Sequence, residues 1–335
     1  MKNGVRLTAI AIAALMMIGL FAGCSNAGAA SFYHHDDLRL PASDTVVMDL
    51  SLEMVPLTAS PAMFNIRTPR APGTRASKNA KAEIDHSNAE QGYVMIRFVA
   101  PTTKRLKVRV TGPSGIKYDY DLKPNNVYEV YPLSDGNGRY TVGVFEQVEG
   151  TRYATANSVS FNVTLENEFA PFLHPNQYVN FSQNSTTVAK AAELIGNAND
   201  LTAKISAVYN FVISNLTYDR EFAAEVGRGM HTGYVPDVDA VLKNGKGICF
   251  DYAALMAAML RSQGIPTKLI VGYAGTAYHA WIDVYSEEEG WINSVIFFDG
   301  TEWKLMDPTF ASSGGEAATM RLIGDGKTYR AVYQY

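Results

Sequence analysis

The chain has 335 residues, of which 47% are hydrophobic and 19% are charged, with a formal net charge of −4. This composition supports one or two packed domains and excludes a wholly disordered protein. Because the charge is slightly negative and no dense stripe of lysine and arginine occurs, no nucleic acid is expected as a partner.

Residues 1–23 are predicted to be a targeting signal. Lys2 and Arg6 precede an apolar run from Leu7 to Phe21. As a helix this run would be about 22 Å long, which is short for a bilayer core of about 30 Å. A short apolar run after a positively charged start is typical of a signal peptide.

The stretch Leu20-Phe21-Ala22-Gly23-Cys24 resembles the lipobox of bacterial lipoproteins. The resemblance implies cleavage before Cys24 and attachment of lipid to this cysteine, so the expected location is the extracytoplasmic face of the cell membrane. The alternative is an ordinary signal peptide cleaved nearby, which would leave Cys24 as a free thiol. The chain has only two cysteines, each in a separate context, and no disulfide is expected.

Residues 24–90 are rich in Ala, Ser, Pro and Asn and are predicted to be a tether. Residues 91–168 contain short apolar or alternating runs separated by turn sequences such as Gly112-Pro113-Ser114-Gly115. Strands at this spacing predict a small β-sandwich of immunoglobulin-like architecture. This region has no evident chemistry, and two roles stay open for it: binding a partner, or holding the next domain away from the membrane.

Residues 169–335 are predicted to form a second domain of class α+β. Apolar residues three and four apart predict helices over Thr186–Ile195 and Leu201–Asn215. Another helix begins near Cys249 and stops at Gly264, because glycine commonly ends a helix. The helix N-terminus favours the thiolate of Cys249, which is the form that attacks carbonyl groups.

Apolar strands are predicted after this helix, and one of them carries His279. Two aspartates could orient the imidazole. Asp283 lies four residues further along the same strand, about 13 Å away, which is too far for a hydrogen bond. Asp307 ends a later strand and, if it is the neighbour of the His279 strand, the two Cβ atoms would be about 5 Å apart. Geometry therefore favours Asp307.

Four blocks, in this order, resemble the transglutaminase-like superfamily: Gly247–Leu255, Arg261–Pro266, His279–Val284 and Trp303–Thr309. The resemblance covers roughly residues 200–310. It implies a papain-like core in which a helix packs on an antiparallel sheet, with Cys249 as nucleophile, His279 as base and Asp307 as the residue that orients the base.

The donor that would stabilise an oxyanion is left open by the sequence. Animal transglutaminases use a tryptophan upstream of the cysteine, whereas all three tryptophans here lie downstream of Cys249. The candidates are the backbone N–H of Cys249 and the hydroxyl of Tyr218, with Tyr234 as a weaker one. No cofactor or metal is expected, since neither calcium-ligand nor paired histidine spacing occurs.

The resemblance implies an extracytoplasmic, membrane-anchored thiol enzyme that acts on protein or peptide amides through a thioester on Cys249. Water would complete hydrolysis, and a primary amine would complete crosslinking. The alternative is a non-catalytic surface module for binding or adhesion on the same fold. The identity of the substrate and the oligomeric state stay open.

Overall fold

The computed structural model describes residues 66–335 apart from several short gaps and one longer one. The gaps are 197, 199, 275–276, 289, 293–295, 299–302 and 306–328. The predicted signal peptide, the lipid-attachment cysteine Cys24 and the catalytic candidate Asp307 lie outside the described residues. Among the described residues, no helix is both long and apolar enough to cross a membrane.

Eight strands build the β-rich half. They are β1 (Ala76–Lys78), β2 (Ala82–Asp85), β3 (Tyr93–Phe98), β4 (Leu106–Thr111), β5 (Lys117–Leu122), β6 (Glu129–Pro132), β7 (Gly138–Glu149) and β8 (Arg152–Val163). One sheet has the order β1-β2-β3-β6 and the other β5-β4-β7-β8. All pairings are antiparallel, and alternate residues of the strands are buried. The predicted β-sandwich is therefore present.

The sandwich begins earlier than the sequence predicted. The tether was expected to reach residue 90, but β1 and β2 lie inside that range and pair with each other and with β3. The buried carboxylate of Asp85 accepts hydrogen bonds from the backbone N–H groups of Gly73 at 2.6 Å and Ser87 at 2.9 Å. Strands of three and four residues are too short for alternation to be recognised, and these contacts are not local.

In its described residues, the second half combines five α-helices with short and long strands. Its elements are α1 (Thr186–Ile195), α2 (Leu201–Asn215), β9 (Thr217–Tyr218), α3 (Arg220–Gly227), α4 (Val238–Asn244), β10 (Lys246–Gly247), α5 (Cys249–Ser262), β11 (Thr267–Ala274), β12 (Ala277–Ser286), β13 (Gly290–Ile292), β14 (Ile296–Phe298), β15 (Trp303–Leu305) and β16 (Tyr329–Gln334). Short 3-10 helices lie at Ala89–Gln91 and Ala170–Phe172. The helices predicted over Thr186–Ile195 and Leu201–Asn215 are confirmed.

Helix α5 is the centre of this half. It packs against α1, α2 and α4 and against the antiparallel sheet β13-β12-β11-β16. Every residue from Asp251 to Ser262 is buried. The helix ends where the sequence predicted, because Gly264 has a φ of +77°, a conformation that glycine adopts without strain. A helix on an antiparallel sheet gives the α+β class expected from the sequence.

Tyrosine rings join the two halves. Tyr335, at the end of the strand that pairs with β11, lies with its ring centroid 5.7 Å from Tyr118 and 5.8 Å from Tyr120 of the sandwich. Its ring is also 4.8 Å from that of Tyr178, in the connector between the halves. The two halves accordingly belong to one compact unit, Phe64–Tyr335.

Arg261, near the end of α5, is a buried cation held by carbonyl oxygens. It is 3% exposed. Nε donates to the carbonyl of Thr267 at 2.7 Å, Nη1 donates to that of His174 at 2.9 Å, and Nη2 donates to that of Tyr335. Burial lowers the pKa of Arg261 to about 9. One side chain thus ties α5 to the connector and to both neighbouring strands.

Replacement of Arg261 by methionine should lower the free energy of unfolding by about 2–4 kcal/mol, because three carbonyl groups each lose a hydrogen bond from the buried guanidinium. Arg228→Met, at an exposed arginine, is the matched control. Denaturant unfolding followed by circular dichroism measures both. Equal midpoints for the two variants would contradict the role given to Arg261.

Candidate active site

Cys249 is the first residue of α5 and carries a partly exposed free thiol. The preceding residue, Ile248, has extended backbone angles, so the chain turns sharply into the helix at this point. The first amides of a helix lack intrahelical acceptors, and the helix dipole is positive there. Cys249 therefore lies at a helix N-terminus with its thiol partly open to solvent.

A buried carboxylate holds this turn in place. Asp251 is 1% exposed and accepts a hydrogen bond from the backbone N–H of Ile248 at 2.8 Å and from the hydroxyl of Tyr234 at 2.6 Å. Burial raises the pKa of Asp251, and the two hydrogen bonds oppose that rise. A Cβ added to Gly247 would lie 2.7 Å from the Cβ of Asp251, so the close approach requires glycine.

Tyr218 lies beside the residues that lead to the cysteine. Strands β9 and β10 are parallel, with Tyr218 opposite Gly247. The backbone N–H of Asp219 donates to the carbonyl of Gly247 at 2.8 Å, and Lys246 forms an ion pair with Asp219 at 2.9 Å. The ring of Tyr218 is 6.4 Å from that of Tyr252 in α5. The oxyanion candidate from the sequence is thus held against the N-terminal end of α5.

His279 lies on β12, opposite Gly272 of β11, and is 6% exposed. Its ring centroid is 6.5 Å from those of Trp281 and Tyr329. Successive side chains of a strand point to opposite faces of the sheet. Ala280 belongs to the hydrophobic core. His279 and Trp281 therefore lie on the face of β12 opposite to Ala280. Glycine at position 272 leaves room for the side chain of Trp281, because a Cβ atom at this position would lie 2.9 Å from the indole ring.

Tyr278 directly precedes His279 on β12 and is 43% exposed. Partial burial raises the pKa of Tyr278 to about 12. Helix α5, which begins at Cys249, packs on β12, the strand that carries both residues. Sequence reasoning did not single out Tyr278, because nothing local marks it.

The other residues that the sequence analysis considered for the site are Asp283, Asp307 and Tyr234. Asp283 lies opposite Lys268 on β11. The strand before Asp307 is described only over Trp303–Leu305, where it pairs with β14. Tyr234, the weaker oxyanion candidate, donates its hydroxyl to Asp251.

Within the described ranges, no group of three or more His, Cys, Asp or Glu side chains could hold a metal ion.

The family comparison matches this half of the molecule. Residues 188–294 match the model of the transglutaminase-like superfamily. This segment includes α5, β11, β12 and β13, with Cys249 and His279.

Two curated proteins resemble parts of the chain. The protein-glutamine gamma-glutamyltransferase of Pseudomonas aeruginosa is 30% identical over 69 residues, which is 16% of this chain and 10% of that protein. The uncharacterized protein YebA of Bacillus subtilis is 27% identical over 143 residues, which is 37% of this chain and 18% of YebA. The chain thus spans less than a fifth of either relative.

Solved structures show remote likeness. The periplasmic domain of TgpA from Pseudomonas aeruginosa is 15% identical, with a TM-score of 0.32 over 72% of this chain and 100% of that one. Red sea bream transglutaminase is 14% identical, with a TM-score of 0.25 over 67% of this chain and 48% of that one.

Tyr234→Phe should lower the free energy of unfolding by about 1–3 kcal/mol at pH 7, since a buried carboxylate loses a donor. The hydrogen bond favours the ionised form of Asp251, so its loss raises the pKa of Asp251 further. At pH values below that pKa, the carboxyl group of Asp251 is protonated in the folded state. The stability difference between Tyr234→Phe and the unchanged protein should therefore become smaller as the pH falls towards 4.

Unfolding at pH 7 and pH 4 tests this, with Tyr153→Phe in the sandwich as the matched control. A stability difference that does not change with pH would rule out the ionised Asp251 as the acceptor that matters.

Proposed function

We propose that this protein is a thiol acyltransferase or amidase that acts on protein or peptide amides. The observation that carries the proposal is the place of Cys249: a partly exposed thiol at the first residue of a buried helix, in a transglutaminase-like core. The thiolate attacks an amide carbonyl, the amine leaves, and a thioester forms on Cys249. Water or a primary amine then takes the acyl group.

In this mechanism His279 accepts the proton of the thiol and delivers it to the leaving amine. Its support is that residues 188–294, which match the superfamily model, include both Cys249 and His279, and that α5 packs on the strand that carries His279. Asp307 is proposed to hold the imidazole tautomer, on the strength of the sequence motif alone.

The oxyanion of the tetrahedral intermediate is proposed to bind the backbone N–H of Cys249 and the hydroxyl of Tyr218. The parallel pairing of Tyr218 with Gly247 supports this, since it keeps the tyrosine next to the turn that carries the thiol. A donor aimed at the position of the developing charge stabilises the transition state more than the substrate.

The membrane location is a further proposal. A lipid on Cys24 would anchor the enzyme at the extracytoplasmic face, where it would meet surface proteins, extracellular peptides or cell-wall peptides. The name of the Pseudomonas aeruginosa relative, protein-glutamine gamma-glutamyltransferase, supports glutamine side chains as acyl donors. Hydrolysis and crosslinking share every residue named so far and differ in the acceptor.

The full chain, given casein and a fluorescent primary amine, should incorporate the amine or cleave or deamidate the casein. Cys249→Ala should reduce the rate by about 10³-fold or more, because the nucleophile is lost. His279→Ala should cause a loss of similar size, with His86→Ala in the sandwich as the matched control. Mass spectrometry of the casein distinguishes amine incorporation from cleavage and deamidation.

A Cys249 thiol that reacts with iodoacetamide no faster than a model thiol between pH 5 and 9, together with no turnover, would contradict the proposal. Such a result would favour the non-catalytic binding module instead. Cys249→Ala serves again as the control, because it separates labelling of Cys249 from labelling of Cys24.

Tyr218→Phe should lower kcat by about 10²-fold with little change in KM, as expected for the loss of one oxyanion donor. Tyr153→Phe, in the sandwich, is the matched control. A kcat equal to that of the control would assign the oxyanion to backbone donors alone.

A further inference from the structure

A cleft lies at the opposite end of α5 from the thiol. It has a volume of about 490 Å³, which falls within the range of about 300–1,000 Å³ found for small-molecule sites. Ser262 and Gly264, at the end of α5, contribute to it, so it lies about 20 Å along the helix from Cys249. Its polar lining side chains come from the sandwich, the connector and α5, and they are Arg67, Thr68, Gln91, Glu166, His174 and Gln263.

His174 forms part of the wall and has unused hydrogen-bonding capacity. Its side chain is 4% exposed, and neither ring nitrogen has a hydrogen-bond partner in the described part of the chain. Burial, helped by the charges of Arg67 and Arg261, lowers the pKa of His174 to about 3. The imidazole is therefore neutral near pH 7 and offers one donor and one acceptor. A buried imidazole without hydrogen bonds lowers the stability of the folded protein. A polar ligand that formed hydrogen bonds with His174 would therefore stabilise the folded state.

The rim carries one charge of each sign. The exposed side chains of Arg67 and Glu166 both line the cleft, and neither forms an ion pair with any described residue. The acceptor Oε1 of Gln263 is also buried and unpaired among the described residues, while its Nε2 donates to Ser262 at 3.0 Å. The α5 C-terminus adds a partial negative charge. A purely anionic ligand would meet Glu166 and this helix end, and a purely cationic one would meet Arg67.

We propose that this cleft binds a small zwitterion, a free amino acid, with its carboxylate on Arg67 and its ammonium group on Glu166 and the Gln263 carbonyl. The neutral imidazole of His174 completes the polar contacts at the wall. Leu173 gives the side chain of the amino acid an apolar surface. The site is separate from Cys249, so the proposal does not depend on the proposed catalytic function.

Matched probes test the two charges. L-leucine carries both groups, whereas 4-methylpentanoate lacks the amine and 3-methylbutylamine lacks the carboxylate. Titration calorimetry on the full chain carrying Cys249→Ala should give one site per chain, with leucine at least about tenfold tighter than either half molecule. The Gly264 amide should shift in NMR spectra on addition of leucine, while the amide of residue 249 should not.

Arg67→Gln and Glu166→Gln should each weaken leucine binding about tenfold, to the level of the half molecule that keeps the remaining contact. Arg70→Gln and Glu168→Gln, at neighbouring residues that do not line the cleft, are the matched controls. Thr68→Trp should abolish binding by filling the cleft, without changing the midpoint of unfolding in the absence of leucine.

The proposal is overturned if leucine shows no saturable binding, since the cleft then holds water only. It is equally overturned if leucine binds no tighter than the half molecules, or if the cleft variants behave like their controls. Because the experiment reads binding in a Cys249→Ala background, none of these results bears on acyl transfer.

Discussion

The structure depends on the complete burial of α5. From Asp251 to Ser262 the helix is surrounded by other helices on some sides and by the sheet on another. Its backbone polar groups are satisfied internally, but both ends have charged residues inside the protein. Asp251 accepts hydrogen bonds from the backbone N–H of Ile248 and the hydroxyl of Tyr234, and Arg261 donates hydrogen bonds to three carbonyl groups. A buried charge persists only with such partners, so each end of α5 is joined to distant parts of the chain.

This arrangement explains how a reactive group can be held still at the protein surface. Cys249 is the first residue of a helix that cannot rotate or slide without breaking the contacts of Asp251. The turn before it is supported from the other side by the parallel pairing of Thr217 and Tyr218 with Lys246 and Gly247. Precise placement of a nucleophile relative to its base and oxyanion donors accounts for much of the rate in acyl transfer. The packing of the core and the proposed chemistry therefore depend on the same contacts.

The β-sandwich is part of this support. Tyr118 and Tyr120 pack on Tyr335, whose backbone pairs with Leu269 of β11. Ser134 and Gln334 exchange side-chain and backbone hydrogen bonds at 2.7 and 2.6 Å. The cleft proposed to bind an amino acid lies along this same joint, where sandwich, connector and α5 meet.

Local pattern alone determined β3, β4, β5, β7 and β8 of the sandwich, the helices α1 and α2, the stop of α5 at Gly264 and the place of Cys249 at a helix N-terminus. Each of these follows from periodicity, turn residues or capping, which act over a few neighbouring residues. Only the tertiary structure decided that β1 and β2 belong to the sandwich, that Tyr234 supports Asp251, and that Arg67, Glu166 and His174 share a cleft. These contacts join residues that are far apart in the chain, and no periodic signal encodes which distant partner a side chain will meet.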